Sequence, residues 1–229
     1  MNVGFTRSRR TLLAAGAVTY RGVSFIVGTD QCGNRKVNMS RELVWTGFMT
    51  VDGVVDSPGG EVEGHPSGGW VLQTTFDPEA FSLKGEELAE TTALMFGRRS
   101  YDAFAPIWRD SDDHAAYRDL PKYVVSTTLR DDELIEGWGT IKILRSVDEV
   151  AAITATDGGA IFIHGSPELT RNLAAAGLID RYNLLVYPVL LGSGKRVFDT
   201  AARESQKLTL RESAAYSNGV VKAIYDVSH

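Results

Sequence analysis

The chain has 229 residues, a net charge of −5 and 43% hydrophobic residues, enough for one well-buried domain with an appendage. The acidic balance argues against a nucleic-acid binder, which presents basic surface to the phosphate backbone, and no apolar run reaches membrane-spanning length. The one cysteine, Cys32, excludes a disulfide within the chain, and without clustered Cys or His partners no metal site is expected.

Residues 1–38 read as an N-terminal extension, disordered or not native, and residues 39–229 as the folded domain. Arg7, Arg9 and Arg10 precede a short apolar run from Leu12 to Val18. The segment Ser8-Arg-Arg-Thr-Leu-Leu13 resembles a twin-arginine export signal. Cleavage at Ala15-Gly-Ala17 would leave almost no apolar stretch, however, and Arg21 interrupts any longer one. Met39 is therefore the expected start of the domain.

The first strand runs over Glu42–Met49, and the tight turn Thr50-Val-Asp-Gly53 follows it. A loop rich in Gly and Pro, from Ser57 through His65 to Trp70, reads either as a mobile lid over a site or as a plain solvent loop. Asp77-Pro78 opens a helix with apolar Phe81, Leu83, Leu88 and Ala89. The short strand Ala93–Phe96 then ends at Gly97-Arg-Arg-Ser-Tyr101, where a second helix starts. The third strand, Lys122–Thr128, finishes in three hydroxyls, and the fourth is Ile141–Leu144. Ser146 starts an amphipathic helix through Val147, Val150, Ala151 and Ile153, and Gly158-Gly159 leads into the next strand.

That strand is the most informative stretch: Ile161-Phe-Ile-His-Gly-Ser-Pro-Glu-Leu169 runs from apolar residues through Gly165 into a helix at Ser166 and Pro167. Ser is a preferred N-cap and Pro costs nothing at the first helical position. The bare N–H groups and the positive end of the helix dipole would cradle an anion such as phosphate; an ordinary strand-to-helix turn with a good cap explains the same residues. Gly97 repeats the pattern with Arg98 and Arg99 beside it, and Arg suits bidentate phosphate contacts.

The helix after Ser166 closes at Gly177, a natural C′ residue. A sixth strand spans Arg181–Leu191 and bends or lies at an edge at Pro188, which cannot donate to a ladder. Gly192-Ser-Gly-Lys-Arg196 lacks the spacing of a P-loop. Lys207–Tyr216 and Val220–Val227 alternate across Ser217-Asn-Gly219, a hairpin. The fold class implied is α/β, a mainly parallel central sheet with flanking helices and a C-terminal antiparallel hairpin.

Five segments in this order carry a family resemblance: Thr50-Val-Asp-Gly53, Gly97-Arg-Arg-Ser-Tyr101, Tyr123-Val-Val-Ser-Thr-Thr128, Phe162-Ile-His-Gly-Ser-Pro-Glu-Leu169, and Asp180 to Gly194. Together the chain resembles the dihydrofolate reductase superfamily, and within it the bacterial branch that includes the reductase domain of riboflavin biosynthesis. The resemblance implies a dihydrofolate-reductase-like fold, NADPH as hydride donor, a pteridine- or pyrimidine-like acceptor and a homodimer. It implies that Gly97, Arg98, Arg99 and Ser100 hold the cofactor phosphates, with one arginine near the 2′-phosphate. Ser126 and Thr127 would contact the adenosine side. Gly165, Ser166, Pro167 and Glu168 would lie under the pyrophosphate, and the backbone at Gly47 and Phe48 beside the nicotinamide. His164-Gly165 stands where the family usually has Gly-Gly.

Reducing a C=N bond needs a proton on nitrogen, so a carboxylate is expected near the acceptor. Asp52 and Asp77 are the candidates. As plain structural residues, Asp52 would shape the turn before Gly53 and Asp77 would cap a helix. His65 is a weaker candidate, expected to be solvent-exposed. The reading is a cytoplasmic NADPH-dependent reductase of a small heterocycle; the alternative is a non-catalytic nucleotide- or pteridine-binding protein of the same fold.

Overall fold

The computed structural model describes residues 18–20, 23–25, 40–60, 63–198 and 205–228. The chain divides into two units, Met1–Asn38 and Met39–His229. In the first, β1 (Val18–Tyr20) and β2 (Val23–Phe25) pair antiparallel. The rest of the expected extension, with its twin-arginine-like segment, lies outside the described residues.

The second unit runs in chain order β3 (Leu43–Thr50), α1 (Pro78–Glu90), β4 (Thr91–Gly97), α2 (Arg98–Asp110), β5 (Lys122–Val125), β6 (Ile141–Leu144), α3 (Val147–Thr154), β7 (Ala160–His164), α4 (Pro167–Ala175), β8 (Arg181–Tyr187), β9 (Leu208–Ala215) and β10 (Val221–Val227). Eight strands form one sheet in the order β6-β5-β4-β7-β3-β8-β10-β9. The pairings from β6 to β8 are parallel, and β8-β10 and β10-β9 are antiparallel. This is the expected α/β class.

Consecutive residues of the central strands are sealed from solvent, as a parallel sheet covered on both faces requires. Leu43, Trp45, Ile161 and Ile163 point to one face, where Leu169 and Leu173 of α4 and Val150 of α3 cover them. Val44, Leu94, Phe96 and Phe162 point to the other, under Tyr101 and Ala105 of α2 and under Trp138. A third cluster seats Ala80 and Leu83 of α1, with Trp70, on Leu185, Tyr187 and Ile224.

Two strands stop earlier than the apolar runs suggest. β8 ends at Tyr187 because Pro188 has no N–H for the ladder; the strand lies inside the sheet, between β3 and β10, and not at an edge. β5 ends at Val125 because the Ser126 hydroxyl accepts from the amides of Thr128 (3.2 Å) and Leu129 (3.0 Å), turning the chain.

The Gly- and Pro-rich loop is pinned at several points. Trp70 is fully buried and its indole donates to the Asp56 carbonyl at 2.8 Å. His65, expected in solvent, is 7% exposed, with its ring between the Ser193 carbonyl and the Ser67 amide.

Candidate active site

The parallel strands bring their carboxyl ends to one side of the sheet, the position where open α/β sheets bind ligands. There β4 passes through Gly97 into α2, and β7 through Gly165 and Ser166 into α4. The two junctions are stitched to each other. The Gly97 amide donates to Ser166 Oγ at 2.9 Å, and the Ser166 amide donates to Ser100 Oγ at 2.9 Å.

Ser166 occupies the N-cap position as expected, but its hydroxyl does not cap α4. It sits in the left-handed region (φ 53°, ψ 50°) and spends its oxygen on Gly97. Gly97 supplies no side chain to cap α2. The other two helices are capped, α1 by Asp77 (2.9 Å to the Glu79 amide) and α3 by Ser146 (3.2 Å to the Glu149 amide). Among the described α-helices, the uncapped ones are therefore the two that begin at the carboxyl ends of β4 and β7.

A cavity of 760 Å³ opens at this point. Gly97, Arg98, Arg99 and Ser100 line it from the first junction, Ser126 and Thr127 from the end of β5, and Ser166, Pro167 and Glu168 from the second. The sequence-derived residues of both junctions thus come together here, except Gly165, which lines the adjoining cavity. The arginines differ: Arg98 grips Asp102 through Nε at 2.8 Å and reaches Glu133 at 3.4 Å, whereas Arg99 is exposed and has no ion pair among the described residues. Sequence reasoning missed Arg145, which lines the same cavity while donating to the carbonyls of Ser126 (2.9 Å) and Leu129 (2.6 Å). Free first-turn amides, hydroxyls and a guanidinium make a donor set that fits a phosphorylated nucleotide.

A second cavity, of 580 Å³, adjoins the first, and Glu63, Pro167 and Lys195 line both. Gly47, Phe48 and Gly165 lie on it. Gly47 has to be glycine, since a Cβ there would stand 2.7 Å from the Trp45 indole, which is itself tied by a 2.8 Å bond to the Gly165 carbonyl. One wall is aromatic: Trp108 stacks on Phe104 (5.3 Å) and on His114 (4.4 Å) and meets His164 edge-on at 5.1 Å. Burial holds the His164 ring well below its ordinary pKa, helped by the charges of Lys84 and His114. Burial also lowers His114.

Thr46 and Lys84 also line the cavity, and both are tied to Glu87, a buried carboxylate that is not part of the lining. Thr46 donates to Glu87 Oε1 at 2.6 Å, Asn183 Nδ2 donates to the same oxygen at 2.8 Å, and Lys84 Nζ reaches Glu87 Oε2 at 2.9 Å and Thr46 Oγ1 at 2.6 Å. At the seam, Lys195 bonds Asp56 at 2.7 Å. Burial raises the Glu63 carboxyl there, partly offset by a 2.8 Å bond from the Ser57 amide. None of these polar side chains was singled out from the sequence, although Glu87 left a signal: it falls in the buried stripe of α1 with Ala80 and Leu83.

Asp52 and Asp77, the expected acids, line neither cavity. The Asp52 carboxylate accepts from the Thr50 hydroxyl (2.5 Å) and the Gly192 amide (2.7 Å) and lies 3.6 Å from Arg196. The Thr50 hydroxyl and then those amides hold its pKa below the ordinary value. Asp77 accepts from Ser217 Oγ at 2.8 Å besides capping α1, and the Ser217 bond lowers it. Both occupy the structural roles the sequence left open for them. His65 also lies outside the lining of either cavity.

Residues 41–222 match the family model of the RibD C-terminal domain. The chain is 25% identical over 193 residues to the uncharacterized protein YyaP of Bacillus subtilis (strain 168), covering 81% of this chain and 94% of that protein. The fold is similar to that of a putative riboflavin biosynthesis protein from Shewanella sp. PV-4 (TM-score 0.62, 19% identity, 82% of this chain and 99% of the other). It is similar too to dihydrofolate reductase from Enterococcus faecalis, solved with NADP(H) and RAB-propyl (TM-score 0.54, 14% identity, 82% and 97%). The chain belongs to the RibD C-terminal domain family.

Proposed function

We propose that this member of the RibD C-terminal domain family is an NADPH-dependent reductase of a small pteridine- or pyrimidine-like heterocycle. The observation that carries the reading is the pairing of two adjoining cavities, one lined by the two uncapped helix N-termini and one walled by aromatic rings, along a seam that includes Pro167 and Lys195. A dinucleotide spans such a pair with its phosphates in the first and its reactive ring at the seam. The first-turn amides of α2 and α4 would hold the pyrophosphate, and Ser126 and Thr127 the adenosine side. Arg99, rather than the engaged Arg98, would take the 2′-phosphate. The backbone at Gly47 and Phe48 would flank the nicotinamide, and Phe104 and Trp108 would exclude water from the acceptor. When bound, NADPH supplies the hydride.

The test is ligand-linked stability followed by turnover. NADPH at about 100 times its dissociation constant should stabilise the protein by about 2.7 kcal/mol, with NADH at the same concentration giving less. Arg99→Ala should bring the two to the same value. No stabilisation by either nucleotide would sink the reading. Stabilisation without NADPH oxidation on a panel of pterins, flavin precursors and quinones would favour the non-catalytic binding protein. The homodimer and the cytoplasmic location belong to the same proposal and are supported by the family resemblance alone; sedimentation and cell fractionation test them.

A further inference from the structure

We propose that Lys84 is a catalytic residue of the acceptor cavity, whose ammonium donates a hydrogen bond and then a proton to the heteroatom of the C=N or C=O bond being reduced. The proposal rests on the reductase reading and supplies the proton source which that reading leaves open.

The argument starts from α1, which buries Ala80, Leu83 and Glu87 against the sheet. A carboxylate 1% exposed is costly unless its oxygens are satisfied, and here both are occupied, by Thr46 and Asn183 on one oxygen and by Lys84 on the other. Glu87 is therefore an anchor and not an acid. Thr46 has given its one hydroxyl proton to Glu87 and receives a bond from Lys84. An ammonium carries three N–H groups. Two of those on Lys84 go to Thr46 and Glu87, and the third has no hydrogen-bond partner among the described residues. Lys84, Thr46 and Phe48 all line the 580 Å³ cavity, the Lys84 side chain is 22% exposed, and its Nζ stands 5.2 Å from the Phe48 ring.

Lys84 bonds Glu87 on its own helix and Thr46 on β3, Asn183 on β8 bonds the same carboxylate, and His164, Asp113 and Tyr117, whose phenol burial pushes up to about 12, line the cavity with it. Burial lowers the pKa of His164 and of His114, Asp56 is held by Lys195, and Glu63 sits at the seam. Lys84 is thus a cation fixed in place with a hydrogen to give.

In the step itself, the carbon of the double bond would accept the hydride that a bound dihydronicotinamide supplies on oxidation to the nicotinamide cation, and the π electron pair would move to the heteroatom. The third N–H bond of Lys84 breaks as the heteroatom–H bond forms. Lys84 is left as a neutral amine beside Thr46 and Glu87 and recovers its proton from water at the cavity mouth.

The test compares wild type with Lys84→Met, Lys84→Arg and the double variant Lys84→Met/Glu87→Gln, which removes the buried charge that the single variant strands. Three quantities are read: stabilisation by NADPH, binding of oxidised pterin by fluorescence quenching with NADP⁺ present, and NADPH oxidation with dihydropterin. The expected result is unchanged stabilisation by NADPH, pterin binding weakened at least about tenfold in both Met variants, and turnover lowered by about 10²-fold or more. Arg should restore pterin binding but not turnover, because a guanidinium does not release its proton. Pterin affinity equal to wild type in both Met variants, or turnover equal to wild type in them, would overturn the proposal. Wild type that gains stability from NADPH yet binds no pterin would overturn this assignment alone, whereas wild type that gains none would remove the reductase reading beneath it.

Discussion

Ser166 makes a demanding test of how the two strand-helix junctions hold together, because one residue carries two opposed contributions. Its hydroxyl accepts the Gly97 amide at 2.9 Å, and it sits 5% exposed in the left-handed region at φ 53°. Ser166→Ala keeps the backbone strain and leaves the half-buried Gly97 N–H without its partner, a loss of about 0.5–1.5 kcal/mol. Ser166→Gly loses the same bond, but glycine removes a left-handed penalty of about 1–2 kcal/mol while returning about 0.4–1 kcal/mol through its freer unfolded chain. The Gly variant should therefore be more stable than the Ala variant by about 0.5–1 kcal/mol, and the Ala variant should fall below wild type. In a domain of this size each kcal/mol moves Tm by about 2–4 °C, so equilibrium urea unfolding supported by calorimetry resolves the order. Both variants should also lose part of their stabilisation by NADPH, since the stitch holds the starts of α2 and α4 together. An Ala variant as stable as wild type, or a Gly variant below the Ala variant, would refute the reasoning.

Asp52→Asn should leave turnover unchanged, because the carboxylate lines neither cavity; it should lower stability at neutral pH, with the difference from wild type shrinking as acid protonates Asp52, whose pKa lies below the ordinary 3.8. A turnover loss of ten times or more would return Asp52 to the site. Lys122, 1% exposed and bonded to the carbonyls of Tyr117 (2.7 Å) and Arg118 (2.6 Å), has its pKa lowered by burial from 10.5 to about 8. The unfolded chain binds the extra proton between those values, so Lys122 penalises the fold below about pH 8 and releases the penalty as pH rises to 10.5. The stability difference between wild type and Lys122→Met should shift in favour of wild type by at most about 3 kcal/mol over that window; a flat difference in urea unfolding would refute the linkage. Gly97→Asp places a capping carboxylate at the start of α2, where a Cβ meets Leu169 at an ordinary 3.4 Å. The protein without ligand should hold its stability while stabilisation by NADPH collapses, and NADPH affinity equal to wild type would place the phosphates elsewhere.

The sheet was legible in the sequence where burial on both faces leaves uninterrupted apolar runs, as in Ile161–Ile163 and Leu94–Phe96. The junctions were legible because Gly and Pro have few other uses directly after such runs. Strand order was not: β3 comes first in the second unit yet lies between β7 and β8, and nothing local records a parallel pairing across more than a hundred residues. The end of β8 was misjudged because Val189 to Leu191 continue the apolar pattern past Pro188, and the missing N–H outweighs the pattern.

The phosphate side of the candidate site could be read because its chemistry is mostly backbone, and backbone geometry is written into Gly, Ser and Pro at fixed spacing. The acceptor side depends on side chains that meet only in the fold. Thr46 on β3, Lys84 and Glu87 on α1 and Asn183 on β8 come from three separate stretches, and each alone is an unremarked polar residue. Asp52 and Asp77 attracted attention because they sit beside turn and cap signals, and those signals describe what they do: short acidic side chains at such places bind neighbouring amides and are thereby taken out of chemistry. A carboxylate in a helical core stripe is the better pointer, since burial there is tolerated only if the fold supplies partners, and the partner with a hydrogen left over is the one that faces a ligand. In this chain that rule leads from Glu87 to Lys84.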